Sequence, residues 1–258
     1  MRREGKNLLV SAHFGKQVVE AAWRTTATLD TVAQADQIKL PVDAANITTV
    51  LNVPENRWVL WAAGPQRGPA VRFWVVLAVA FLTALALGSA ALSPLRRIEW
   101  VLLAIGLTQV NVAAAIIVVG WLFLLAWRGR QNPDLLPSAG FNLLQAGLVL
   151  LTAVALGILV FVASKGLLGE PEMFIIGNNS ARTRLQWFEP RSGLSLPEPY
   201  VVSISVWFYR YAMLVWALWL TAALLRWLSW GWRQFSHGGS WRQSIERAPA
   251  PPQLPKTP

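Results

Sequence analysis

Trp100–Trp127 reads WVLLAIGLTQVNVAAAIIVVGWLFLLAW, 28 residues without a single charge. As one helix it would measure roughly 42 Å at 1.5 Å per residue, against a bilayer hydrocarbon core of about 30 Å. Such a segment must tilt, protrude or break. Gly106 and the polar cluster Thr108, Gln109 and Asn111 mark where a break belongs.

Three further apolar segments flank it. Trp74–Leu92 is uncharged over 19 residues and Phe141–Ser164 over 24, while Val201–Leu228 is interrupted only by Arg210 and Arg226. Each is long enough to cross the hydrocarbon layer. The expectation is an all-α membrane protein with four transmembrane helices, at about 73–92, 100–127, 141–164 and 209–228, and a small N-terminal α+β extramembrane region. The turn 93–99 makes the first two spans antiparallel neighbours.

Composition agrees. The chain is 54% hydrophobic and 14% charged with mean hydropathy +0.41, whereas a soluble domain carries about 25% charged residues. Cysteine is absent, which excludes disulfides, thiolate metal sites and thiol catalysis. The net charge of +10 comes mostly from basic residues flanking the apolar segments. There they fix orientation and meet anionic headgroups. No clustered basic motif accompanies them, so nucleic acid is not an expected partner. The excess of Arg over Lys, with abundant Ala, Leu and Trp, suggests a bacterial coding sequence of high GC content and hence an inner-membrane protein.

Outside the spans, three regions are legible. Residues 15–35 place Val18, Ala22, Thr26, Leu29 and Val32 at helical spacing, and 37–63 contain short β-like runs broken by Pro41, Pro54 and Asn56. Residues 1–70 therefore read as the α+β region. Residues 166–200 form a long loop between the third and fourth spans, with Trp187 and Phe188 as surface aromatics. The stretch 233–258 reads as a disordered basic Pro-rich tail. Four spans put both termini on one side, which then holds sixteen basic residues against six. The positive-inside rule makes that side cytoplasmic, or the reverse if residues 1–70 end an exported domain.

Few groups at membrane depth carry chemistry. Arg210 stands inside an apolar run as a substrate contact or as an interfacial anchor. Its 16-residue separation from Arg226, roughly 24 Å of helix, matches two anchors at opposite interfaces. Thr108, Gln109 and Asn111 line a path or bond to a neighbouring span. Ala80, Ala84 and Gly88 lie four apart and allow close helix packing. His13 and His237 have no partner at metal-ligand spacing, no hydrolase or nucleotide motif occurs, and no cofactor is implied. The leading reading is a non-enzymatic anchor or scaffold in a membrane complex, with a membrane-protein partner or a second copy of the chain alongside the lipid bilayer. The alternative is a transporter or channel subunit whose path is lined by Gln109, Asn111 and Arg210.

Overall fold

A computed structural model describes residues 2–4, 7–10, 15–16, 18–23, 31–132 and 137–242. The chain divides into two compact units, Met1–Asp30 and Thr31–Pro258. In the first, β1 (Arg2–Glu4) and β2 (Asn7–Leu9) pair as an antiparallel hairpin. The expected helix over 15–35 is not formed: residues 15–16 and 18–23 are irregular, Val32–Gln34 is a strand, and 24–30 lie outside the described residues. Its helical spacing had too little apolar area behind it to fix a conformation.

The second unit has strands at one end of a helical bundle. β3 (Val32–Gln34), β4 (Ala44–Asn52), β5 (Arg57–Ala63) and β6 (Ala70–Val71) precede the helices. β7 (Ile175–Ile176) and β8 (Arg184–Ser192) fall where a loop was expected, and β9 (Tyr200–Ser205) takes the first residues of the apolar segment that begins at Val201. The early and late strands pair antiparallel: β4 with β8, β6 with β7, and β9 between β3 and β5. Alternation explains the core. Leu185 and Trp187 on β8 and Val59 on β5 are fully buried, with Val201 and Met173 packed against them. The segment around Gly68 lies directly on the Trp187 indole, at a distance that leaves no room for a Cβ.

Two irregularities have local causes. Pro190 has no N–H to donate, and the β4–β8 register skips it together with Asn46, which adopts φ +53°. In β5 the register shifts between Val59 and Trp61, leaving Leu60 as a bulge residue. The Leu60 carbonyl accepts the Trp74 indole N–H at 2.9 Å, tying the bulge to the first helix.

The described residues contain five helices: α1 (Phe73–Ser89), α2 (Arg97–Leu107), α3 (Val112–Arg130), α4 (Ser138–Leu168) and α5 (Val206–Phe235). Three of them, α3, α4 and α5, are long and apolar enough to cross a membrane; α1, at 17 residues, is shorter. The expected all-α fold with four spans is therefore incorrect. The part outside the helical bundle is built of strands among the described residues, and the 100–127 segment is two helices.

The break falls at Thr108–Asn111. The Asn111 side chain accepts from the Ala114 N–H at 2.8 Å and starts α3 as an N-cap. The chain also reverses there: Trp100 of α2 stacks on Phe123 of α3 with ring centroids 5.6 Å apart. In one straight helix these residues would be roughly 35 Å apart.

Side-chain contacts set the polarity of the bundle. Phe73 and Tyr209 both meet Trp58 of β5. At the opposite end Arg130 bonds the Ala91 carbonyl, Gln145 the Phe235 carbonyl and Asn142 the Arg242 carbonyl. The α1–α2 hairpin returns the chain to the strand end, and α3, α4 and α5 then run the length of the bundle alternately. Residues 31–72 and 169–205 thus sit at one end and 236–242 at the other. The expectation of both flanks on one side followed from an even number of spans; the described flanks lie at opposite ends of the bundle. Of the residues expected to form a tail from 233, those to Phe235 belong to α5 and 236–242 pack on the bundle; 243–258 lie outside the described residues.

Candidate functional site

The turn between α2 and α3 concentrates polar groups at the strand end of the bundle. Gln109 is buried. Its Nε2 donates to Thr108 Oγ1 at 3.3 Å, and its Oε1 accepts from the Tyr209 hydroxyl at 3.4 Å. Its backbone carbonyl, released by the helix end, accepts from Lys165 Nζ at 2.9 Å. Lys165 ends the apolar run of α4 and also pairs with Glu172 Oε1 at 3.0 Å. Both side chains are partly exposed, so the pair itself stabilises little.

These groups border a cleft of about 680 Å³ between α3 and α4. Thr108, Gln109, Asn111, Lys165 and Glu172 form its polar end, and Val154, Ile158 and Phe161 of α4 its apolar wall. Gly157 also lines it, and a Cβ there would meet nothing within 4 Å. The arrangement offers one cation, one carboxylate, amides and a hydroxyl beside an apolar trough. That set suits binding of an amphiphile. No group of three or more His, Asp or Glu residues able to hold a metal occurs among the described residues.

The residues singled out from the sequence do not all converge. Thr108, Gln109 and Asn111 line the cleft. Arg210 does not: its guanidinium lies 5.1 Å from the Trp207 ring centroid, and its Nε is buried without a hydrogen-bond partner. Arg226 pairs with Glu99 at 3.3 Å, toward the other end of α5. Ala80, Ala84 and Gly88 belong to α1, which packs on α2; Ala84 is buried, and a Cβ on Gly88 would come within 3.0 Å of the Arg97 Cα. Lys165, Glu172 and Tyr209 were the missed members of the cleft and its border. The one available signal was Lys165, a lone charge closing 24 uncharged residues.

A second polar cluster at the opposite end went unmarked. Arg128 is 1% exposed, donates to the His237 carbonyl at 2.8 Å and lies 4.8 Å from the Phe141 ring centroid. Arg242 lies 4.6 Å from the same ring, and its backbone N–H and carbonyl both bond the Asn142 side-chain amide. Gln145 Nε2 donates to the carbonyls of Phe235 and Gly239. Together they fasten 236–242 across the ends of α3 and α4.

Comparison with known proteins found no match: no family model fits the chain, and no curated protein or solved structure matches it.

Proposed function

We propose that this chain is a non-enzymatic, multi-pass component of a bacterial inner membrane, an anchor or scaffold that holds a rigid β platform at the extracytoplasmic surface for a membrane-protein partner or a second copy. The observation that carries this reading is the continuity of platform and helices. β9 runs into α5 with no intervening residue, and Arg72 alone separates β6 from α1. Strands from before and after α1–α4 pair with one another, so the platform closes only when those helices are assembled. A unit built this way transmits position rather than flexing on a linker.

The charge distribution supports the orientation. Among the described residues, the end carrying 236–242 has seven arginines (Arg96, Arg97, Arg128, Arg130, Arg226, Arg233 and Arg242) and one acidic residue, Glu99. The strand end has nine basic residues from residue 31 on, most of them spread through the β platform, and its one short connection, 108–111, has none. Arginines in short connections beside the spans favour the cytoplasm. This reverses the orientation expected from four spans and agrees with the exported-domain alternative.

The transport alternative is favoured by one feature, the polar cleft at Thr108–Asn111. Against it, Arg210 stands outside the cleft, and Tyr209, the hydroxyl partner of Gln109, is packed in the bundle core. Complementation of a deletion strain separates the two readings, with protein level checked in parallel. Trp61→Asp and Val50→Asp, on exposed platform positions, should abolish function, and Lys165→Met should retain it. The opposite pattern puts transport first.

A further inference from the structure

We infer that the α3–α4 cleft is a phospholipid site: it takes one acyl chain in its apolar trough and a zwitterionic headgroup at Lys165 and Glu172. This rests on the placement of the helices in a bilayer but not on the scaffold reading.

The dimensions argue for a lipid. Lys165 and Glu172 stand at the strand end of α4, where the helix leaves the apolar layer. From Lys165 the lining residues continue down α4 through Phe161, Ile158 and Gly157 to Val154. The eleven helical steps from Val154 to Lys165 span about 16 Å, close to half of a hydrocarbon core of about 30 Å. A trough one leaflet deep, polar at the headgroup level and apolar below it, has the length and polarity of a lipid in that leaflet. A solvent of hydrocarbon chains borders it, so the lower part fills with an acyl chain rather than water.

The headgroup follows from charge. Lys165 Nζ and Glu172 Oε1 are 3.0 Å apart at the mouth, with Asn111 and Thr108 beside them. A headgroup carrying only negative charge gains from Lys165 and is repelled by Glu172 at nearly the same distance. A phosphate followed by a primary ammonium satisfies both: the phosphate accepts from Lys165 and the ammonium donates to Glu172. The exposed ion pair now closing the mouth is weak and exchanges partners at little cost. Phosphatidylethanolamine has this chemistry.

The test uses the full chain reconstituted in vesicles of equal parts phosphatidylethanolamine and phosphatidylglycerol, extracted gently and analysed by native mass spectrometry. The wild type should retain about one phosphatidylethanolamine per chain, as a single formed pocket would. Gly157→Leu fills the trough at a point where no atom lies within 4 Å of the new Cβ. The helix should tolerate it, and retained lipid should fall about tenfold, as expected for a blocked site. Glu172→Gln leaves the trough intact and should shift the retained lipid toward phosphatidylglycerol, whether or not the leucine variant folds. Equal retention by folded Gly157→Leu and wild type overturns the site, as does a wild type that retains no lipid. A wild type that prefers phosphatidylglycerol, or a lipid ratio unchanged in Glu172→Gln, overturns the headgroup assignment.

Discussion

The two ends of the helical bundle use polar side chains for opposite purposes. At the strand end, Gln109, Lys165 and Glu172 border a cleft between α3 and α4. At the other end, Arg128, Asn142 and Gln145 spend their bonds on backbone carbonyls of 235–242 and close the surface. The difference teaches how to read a buried polar group in an apolar helical bundle. Gln145, also next to an apolar run, is a fastener, whereas Gln109 is part of the wall of a cleft. Both are buried; what distinguishes them is that Gln145 bonds backbone carbonyls, whereas Gln109 bonds the Thr108 and Tyr209 hydroxyls at the border of the cleft.

The sharpest way to break the comparison is topological. Reporter fusions after residue 66 and after residue 240 should fall on opposite sides of the membrane, with the fusion after 240 cytoplasmic. A fusion after 185 should match the one after 66. Agreement between 66 and 240 would mean an even number of crossings and would remove the odd parity that places the two ends on different sides.

A stability comparison comes next. Arg128→Ala removes a buried charged donor and a ring contact, and leaves the His237 carbonyl without its donor. A loss of about 2–3 kcal/mol is expected from a charged hydrogen bond of this kind, read as an earlier unfolding transition and as new protease cleavage within 236–242. Lys165→Ala removes bonds that are half in solvent, and the expected loss is below about 1 kcal/mol. Equal losses would mean that the cleft groups are fasteners too.

Much of the bundle was legible in the sequence because long uncharged apolar runs of helical length stand out by hydropathy. The break at 108–111 was legible too, since four residues with three polar side chains cannot stay in a long apolar helix without partners. The reversal at that break was not, because an apolar pattern has no direction: Trp100 stacking on Phe123 is invisible until the chain turns. The platform was hidden for a different reason. Leu185 and Trp187 alternate as a half-buried strand should, but Pro190 and the surrounding turn residues argued for a loop. The partners that make it a strand lie more than 130 residues earlier, in β4. Of the cleft, Thr108, Gln109 and Asn111 were readable as polar groups at depth, while Glu172 was one more loop carboxylate until Lys165 reached it.

The smallest expected effect concerns Arg210, which belongs to the strand end but not to its cleft. Its guanidinium lies against Trp207 at the start of α5, where interfacial aromatics and basic side chains anchor a helix. A lysine keeps the charge, the length and the contact with the indole face, so Arg210→Lys should be nearly silent in both level and complementation. Arg210→Ala loses a partly exposed cation–π contact worth about 0.5–1 kcal/mol and should lower the folded yield slightly. The side chain also has a buried Nε with no partner, which a lysine does not carry, so the substitution removes an uncompensated group rather than creating one. A planar fork holding a carboxylate or phosphate would behave differently, because lysine cannot reproduce its two parallel bonds. A well-expressed Arg210→Lys protein that fails to complement would show that Arg210 holds a ligand, and the strand end would then contain two sites instead of one.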